Sequence, residues 1–480
     1  MMIQQGTIAA IATALSDSGI GIIRISGEDA IKIADSLIIS KSGKRFLNSV
    51  KSHVIHYGFV VDGQDEEGGS EPEIIDEVMV SVFRAPKSYT REDVVEINCH
   101  GGILVTKKVL ELVLRAGARL ALPGEFTKRA FLNGRIDLSE AEAVMDLIHS
   151  KNELSLKAST AQLRGDLSKK IKELRGGILY EIAFIESALD DPEHISLEGY
   201  PERLNKKCDE LMSEIKALLD TAENGRMIRD GISTVIIGKP NAGKSSLLNM
   251  ILGQERAIVT DIAGTTRDAL EEYVNLNGIH LNVIDTAGIR DTDDRVEKIG
   301  VEKAKKYAMG ADLILYVVDT TVDLDENDRE ILSLISEKKV IFLMNKSDLE
   351  QKVTEQDLIS FLQSIEQKQE DSFSDFSMIS TSAALGEGLE KLEKEIEKLV
   401  FHGEVERNDE IVIMNLRHKE ALTNALNALS LVKKSLEDQM PEDFYSIDLM
   451  EAYANLGSII GEEVGDDLVE EIFSKFCMGK

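Results

Sequence analysis

The sequence predicts a multidomain α/β protein. An N-terminal α+β domain comes first, followed by a helical domain that is discontinuous in sequence and a P-loop nucleotide domain, mostly parallel in its sheet, inserted between the helical halves. Three observations carry this reading. Gly238-Lys-Pro-Asn-Ala-Gly-Lys-Ser245 fits G-x-x-x-x-G-K-[ST], between an apolar β-branched run and a helical pattern. Residues 1 to about 135 alternate short β-rich runs with turns. Apolar residues recur at helical spacing on both sides of the nucleotide segment, yet neither helical block makes an obvious domain alone.

In chain order, residues 21–26, 77–83 and 94–98 read as strands. Residues 62–70 are an acidic, Gly-rich hairpin loop, read as a solvent-exposed connection. Residues 103–116 form an amphipathic helix stopped by Gly117. From Ser139, an expected N-cap with Glu142 at the capping-box position, the pattern turns helical and continues through Leu189 without a proline. A further helix covers 202–223, and helical periodicity resumes at 416–436 and 448–476. Heptad regularity is too poor for a coiled coil. A nucleotide domain begins and ends at neighbouring points, which permits its insertion into a loop of another domain. The expected segments are therefore 1–135, 136–230, 231–398 and 399–480.

At 480 residues the chain holds two to four domains. Its 43% hydrophobic and 29% charged content describe a soluble globular protein. No run is long and apolar enough to span a bilayer, and the N-terminus lacks the basic region of a signal peptide, so a cytoplasmic location is expected. Cys99, Cys208 and Cys477 are widely spaced with no C-x-x-C pair, which suits a reducing compartment and disfavours a zinc or disulfide framework. The net charge of −31 leaves no dominant basic face for nucleic acid, so any RNA contact is local or supplied by a partner. Basic spots such as Lys169-Lys-Ile-Lys172 read as solvated helix faces.

The chemistry begins at the phosphate loop. Glycines let backbone N–H groups converge on phosphate oxygens, and the following helix adds its positive end. Lys244 is placed to reach the β- and γ-phosphates and Ser245 to bind Mg²⁺. Asn345-Lys-Ser-Asp348 follows the apolar run 340–344 and names the base. A carboxylate at Asp348 accepts both guanine N1–H and the 2-amino group, neither of which adenine offers, and such sites discriminate by about 10⁴–10⁵-fold. The chain is expected to bind GTP.

Between these motifs lies Thr260-Asp-Ile-Ala-Gly-Thr-Thr-Arg-Asp268, where a threonine can place its hydroxyl on Mg²⁺ and its N–H on the γ-phosphate. Asp285-Thr-Ala-Gly288 supplies a second switch: Asp285 to Mg²⁺ through water, the Gly288 N–H to the γ-phosphate. Thr381-Ser-Ala383 fits the loop whose backbone meets the guanine oxygen. The expected GTP contacts are Asn241, Ala242, Gly243, Lys244, Ser245, Ser246, Thr260, Asp261, Ile262, Ala263, Gly264, Thr265, Thr266, Asp285, Thr286, Ala287, Gly288, Asn345, Lys346, Asp348, Thr381, Ser382 and Ala383. Ile289 stands where Ras-like enzymes carry the glutamine that orients water, and an isoleucine cannot do this. Asn241 offers a neutral oxygen suited to a monovalent cation; alternatively it is a turn residue tolerating an unusual backbone. Glu297, among the carboxylates of 291–297, could reach in from the second switch.

Four stretches resemble the tRNA modification GTPase family MnmE, also called TrmE: Gly-Ile-Ile-Arg24-Ile-Ser-Gly, residues 84–96, residues 123–138 and the terminal Phe476-Cys-Met-Gly-Lys480. The match covers essentially the full length; Met478 is a mild departure where relatives carry Ile, Leu or Val. The resemblance implies a Ras-like GTPase domain, a folate-binding-like N-terminal domain and a cytoplasmic homodimer joined through those N-terminal domains. It also implies a flavoprotein partner, MnmG (GidA), in a heterotetramer. Together they would add a carboxymethylaminomethyl or aminomethyl group to C5 of the wobble uridine of certain tRNAs. Hydrolysis would depend on K⁺, held at positions matching Asn241, Thr260, Ile262 and Thr265. Ser245 and Thr266 match the Mg²⁺ ligands, and Glu297 the glutamate that orients water, which answers the Ile289 problem. Arg24, Glu96, Arg135 and Lys480 match contacts to 5-formyltetrahydrofolate or another one-carbon tetrahydrofolate; some relatives have Lys where Arg135 stands. Cys477 is either a nucleophile or an anchor at the domain junction.

Two other classes are open to test. A regulatory GTPase switch in ribosome assembly would share the nucleotide motifs, but it would carry a basic RNA-binding module where these flanks are acidic. An ATP-dependent kinase fails on Asn345–Asp348.

Overall fold

The computed structural model describes residues 6–63, 72–191, 193–253, 271–276, 279–285, 307–333, 335, 338–366, 376–401, 411–462, 464–477 and 479. They divide into two compact units. One comprises Met1–Ile148, Ala161–Cys208 and Asn424–Lys480, the other His149–Thr160 and Asp209–Thr423.

The first unit is built on a seven-stranded sheet. Its strands are β1 (Ile8–Ile11), β2 (Ser18–Ser26), β3 (Ile38–Ile39), β4 (Val54–Asp62), β5 (Glu73–Phe83), β6 (Val94–Gly101) and β7 (Arg119–Leu120), in the order β3-β4-β5-β6-β2-β1-β7. All neighbours are antiparallel except β1 and β7. Alternation along β2 decides the faces. Ile23 and Ile25 enter the core with Val80, Val82, Val95 and Ile97, covered by helix Ile103–Arg115 through Val109, Leu112 and Val113. Arg24, between those isoleucines, points to the other face. The expected strands are present but longer, because edge residues carry ladder pairing without an apolar signal. The loop expected at 62–70 lies largely outside the described residues, but β4 and β5 pair as the hairpin it requires.

Helices complete this unit. The expected cap at Ser139 is corrected by two residues. Helix Leu138–His149 is capped by Asp137, whose Oδ1 accepts the Glu140 N–H at 3.0 Å while the Asp137 N–H donates to Glu140 Oε2 at 2.8 Å. The box is reciprocal, as the motif requires, but in another frame. The long helical stretch is also three helices, the last breaking away at Gly165, where φ is +85°. Helix Asp166–Asp190 packs on helix Glu442–Ile460. There Arg175 donates from Nε to the Tyr453 carbonyl (3.2 Å), pairs with Glu462 and lies 3.8 Å over the Tyr453 ring.

The second unit holds a six-stranded sheet. Its strands are β8 (Ile232–Ile237), β9 (Glu271–Leu276), β10 (Ile279–Asp285), β11 (Leu313–Asp319), β12 (Val340–Asn345) and β13 (Phe376–Ser380), ordered β13-β12-β11-β8-β10-β9. Only β9 is antiparallel. Strands buried on both faces must be apolar throughout. Accordingly Leu315, Val317, Ile341 and Leu343 enter one core layer, while Ile314, Tyr316, Phe342 and Met344 enter the other. Helix Ala222–Asp230 and the segment around Ile413 belong to this unit, joined by a 3.1 Å bond from the Ile413 N–H to Thr221 Oγ1. Among the described residues, no helix is long and apolar enough to cross a membrane.

Candidate functional site

The carboxyl edge of the parallel sheet is where ligands bind in open α/β folds, and three loops gather there. β8 ends at Ile237, and helix Lys244–Leu252 begins after Gly243, which takes φ +100° as its N-cap. A side chain at Gly243 would put its Cβ 2.2 Å from Asn345 Nδ2, so glycine is required twice over, by conformation and by space. Lys244 Nζ donates to the Gly238 and Lys239 carbonyls at 2.8 and 2.7 Å, which folds the ammonium back over the mouth of the loop. Asn241, Ser245 and Ser246 are exposed around that mouth, and Ala242 is buried beneath it. Asn241 has φ +62°, so it does adopt the unusual backbone weighed as an alternative, and it presents its side chain to solvent.

Asn345 ties the phosphate loop to the base loops. It is 2% exposed at the end of β12, its Nδ2 donating to the Ala242 carbonyl (2.8 Å) and its Oδ1 accepting the Ala383 N–H (3.1 Å). One side chain thus fixes three loops. Lys346 also takes φ +63°, and its Nζ is 2.5 Å from Asp319 Oδ2. Burial pushes the Asp319 carboxyl up, but its bonds to Lys346 and Thr321 outweigh this and hold it below the usual range. Asp348 stands exposed at the rim and accepts the Ser382 hydroxyl at 2.6 Å. Thr381 and Ser382 are fully buried, and Thr381 Oγ1 has no hydrogen-bond partner among the described residues. Sequence reasoning missed Asp319 and the Ser382–Asp348 bond, since neither has a motif of its own.

The described residues bring together Asn241 to Ser246, Asn345, Lys346, Asp348 and Thr381 to Ala383. Asp285 closes β10 by main-chain pairing with Ile236. Thr260 to Thr266, Thr286 to Ile289 and Glu297 lie outside the described residues, as does Lys480.

A second constellation lies in the first unit. Arg24 and Glu96 are directly opposite on β2 and β6, with Nε and Nη2 each 2.9 Å from Oε1. Arg24 Nη1 also donates to the Gly479 carbonyl at 3.1 Å, so the C-terminal tail reaches the N-terminal sheet. Gly479 takes φ +88° and its Cβ would lie 2.3 Å from the Ile11 carbonyl oxygen. The tail is anchored before that point: Phe473 and Phe476 pack with Leu138, and the Gly124 N–H donates to the Cys477 carbonyl at 3.4 Å. Cys477 is thereby held through its backbone while its residue stays exposed, unlike the buried Cys99 and Cys208.

Tyr89 links the remaining members. The Arg24 guanidinium is 5.7 Å from its ring centroid and that of Arg135 is 4.7 Å away; Arg135 Nη1 donates to the Tyr89 carbonyl at 3.2 Å. The Tyr89 and Thr127 hydroxyls are 2.9 Å apart. Below them, buried Arg129 bonds Glu92 and Glu125, and Arg119 pairs with Glu125. Burial raises the Glu125 carboxyl, but these partners and the Leu122 N–H prevail and hold it low. Tyr89 and this network were missed; nothing in spacing alone marks a tyrosine as the joint between two arginines.

Comparison with known proteins agrees over the whole chain. A family model described as GTP-binding protein TrmE N-terminus matches residues 7–135, and one described as MnmE helical domain matches 138–477. The chain is 55% identical over 474 residues to the tRNA modification GTPase MnmE of Lachnoclostridium phytofermentans, covering 99% of each. It is 48% identical over 474 residues to that of Clostridioides difficile, again covering 99% of each. Against that of Carboxydothermus hydrogenoformans it is 49% identical over 476 residues, covering 99% of this chain and 100% of the relative. With two family models and full-length relatives in agreement, the chain belongs to the MnmE (TrmE) family of tRNA modification GTPases.

Proposed function

We propose that the chain is a K⁺-dependent GTP hydrolase that works as a homodimer with an FAD-binding partner of the MnmG type. It adds a carboxymethylaminomethyl or aminomethyl group at C5 of the wobble uridine of certain tRNAs. The observation that carries the nucleotide half of this reading is the Asn345 side chain, bonded at once to the phosphate loop and to the loop of Thr381–Ala383. That bridge supports a guanine site coupled to a phosphate site.

In this reading the phosphates lie against the N–H groups of residues 241–246, and Lys244 leaves its loop carbonyls to meet them. The donor set fits the metals: Ser245 is exposed at the helix start, and with Thr266 it would hold Mg²⁺. Asn241, Thr260, Thr265 and the main-chain carbonyl of Ile262 would offer neutral oxygens to K⁺. Both cations supply positive charge where negative charge develops on the phosphates. Asp348 reads guanine, with its Ser382 bond pre-orienting the carboxylate. Glu297 orients the attacking water, a task that Ile289 cannot perform.

A one-carbon tetrahydrofolate fits the second constellation, where Glu96 can accept N–H donors of a fused heterocycle, Arg24 and Arg135 bring positive charge, and Tyr89 an aromatic face. Lys480 would complete it. Cys477, held through its main-chain carbonyl by the Gly124 N–H, is read as an anchor. The segments 1–135, 136–230, 231–398 and 399–480 remain the proposed domain division; the family ranges bear on its first boundary, while in the contact division residues 209–230 and 399–423 go with the nucleotide unit.

The test is mass analysis of wobble nucleosides from a strain lacking this chain. The expected result is loss of the aminomethyl-type group at C5 of uridine, restored by the wild-type chain and not by Lys244→Ala. Full modification in the deletion strain would overturn the proposal.

A further inference from the structure

We propose that a cavity beside Tyr89 receives the glutamyl tail of the folate, and that the chain therefore selects poly-γ-glutamylated folates over the monoglutamate. This rests on the folate reading above and extends it from a ligand to the form of that ligand. The cavity has a volume of about 460 Å³ and is lined by His53, Lys87, Tyr89, Arg91 and Arg135, with an apolar wall from Phe83 and Pro86. Four basic side chains line it and no carboxylate does. In a chain of net charge −31, such a gathering runs against composition.

The arginines are positioned chiefly by main-chain oxygens, and the Glu140 carboxylate acts on Arg135 only from beyond ion-pair distance. Arg91 Nη1 donates to the Asn133 carbonyl at 2.9 Å and Arg135 Nη1 to that of Tyr89 at 3.2 Å. These are main-chain oxygens, which orient a guanidinium and leave its charge. Neither arginine nor Lys87 forms an ion pair among the described residues.

The backbone gives an independent sign. Five non-glycine residues among the described ones have positive φ: His53, Arg91, Asn241, Lys346 and Gln439. Such conformations persist where surrounding structure enforces them and cluster at binding sites. Two of them, Asn241 and Lys346, are in the nucleotide loops. Two others, His53 (φ +63°) and Arg91 (φ +60°), line this cavity.

Geometry then selects the occupant. Tyr89 and Arg135 belong both to the cavity and to the proposed folate set, with Arg24 and Glu96 reached from the Tyr89 ring. A folate is a hydrogen-bonding heterocycle, an aryl spacer and a tail of carboxylates. With its head at Arg24 and Glu96, a molecule crossing Tyr89 delivers that tail to the four basic groups. Each added γ-linked glutamate contributes one more carboxylate. An RNA phosphate would satisfy the same charges, but it would not account for the continuity with Arg24 and Glu96.

The test titrates the full-length protein with 5-formyltetrahydrofolate carrying one or five glutamates, at low and at raised KCl. Pentaglutamate is expected to bind about tenfold more tightly, equivalent to about 1.4 kcal/mol, with the advantage shrinking as salt screens it. The Lys87→Gln/Arg91→Gln variant should lose most of that advantage and keep the monoglutamate affinity; unchanged melting temperature certifies its fold, and Lys87→Glu alone serves if the double variant is unstable. Equal affinity of the two forms, with the monoglutamate binding, overturns this proposal and leaves the folate reading standing. Binding of neither form overturns both. A variant that loses tRNA affinity while keeping the pentaglutamate advantage assigns the cavity to RNA phosphate and likewise overturns the proposal.

Discussion

At the scale of residues, the proposed guanine site stands out in the sequence because each of its parts is a short fixed string. Asp348 could be assigned from spacing alone; its hydrogen bond from Ser382, 34 positions away, could not, since nothing local encodes it. Asp348→Asn is expected to weaken GTP and GDP equally, by about a hundredfold or more, because two charge-assisted hydrogen bonds of about 1.5–3 kcal/mol each are lost and neither concerns the γ-phosphate. Fluorescent nucleotide titration checks this, and retained tight guanine binding would refute the assignment. A second residue, not flagged by any motif, is expected to contribute to the pH dependence of stability. His280 is 7% exposed, its Nε2 has no hydrogen-bond partner among the described residues, and its ring stacks on Tyr273. Burial, aided by Lys151, pushes its pKa down to about 4. Folded His280 is neutral where the unfolded chain would take up a proton, so its contribution is intact above about pH 6.5 and is lost as pH falls toward about 4. Urea midpoints at pH 7.5 and 5 should therefore drop further for wild type than for His280→Gln; parallel drops would count against this role.

At the scale of elements, periodicity located helices and strands well but set their ends poorly. The Ser139 frame and the Asp137 frame both read as a capping box, because Asp137-Leu-Ser-Glu140 and Ser139-Glu-Ala-Glu142 overlap. Only the bonds decide, and they favour Asp137. Asp137→Ala should cost about 1 kcal/mol, seen as a lowered melting temperature, whereas Ser139→Ala should cost less, since the Ser139 hydroxyl reaches only Asp137. The reverse ranking would restore the Ser139 cap. The long proline-free run divides at Gly165 for a similar reason: a left-handed glycine ends a helix without changing the apolar pattern on either side. Register adds what periodicity omits. Arg24 and Glu96 are 72 residues apart yet directly paired across β2 and β6, a proximity that follows from strand order alone.

At the scale of the whole molecule, the parallel sheet of the nucleotide unit was legible from its unbroken apolar strands, each followed by a motif. The packing of the helical blocks was less so. An amphipathic stripe announces that something covers it, not which neighbour does. The bonds from Asn152 to the Ile228 carbonyl and from the Ile413 N–H to Thr221 fall within the nucleotide unit. Likewise, the seating of the C-terminal tail on β2 through Gly479 joins residues 455 positions apart. K⁺ is proposed to turn hydrolysis on, since Ile289 stands where the water-orienting glutamine would be and Asn241 presents an exposed neutral oxygen within the phosphate loop. The most direct measurement is phosphate release by the full-length chain from GTP and from ATP, in matched KCl and NaCl. Turnover of GTP and not ATP is expected, accelerated by K⁺ and little by Na⁺, with Asn241→Ala losing the K⁺ response while keeping most GTP affinity. Equal rates in the two salts, or equal turnover of ATP, would contradict it.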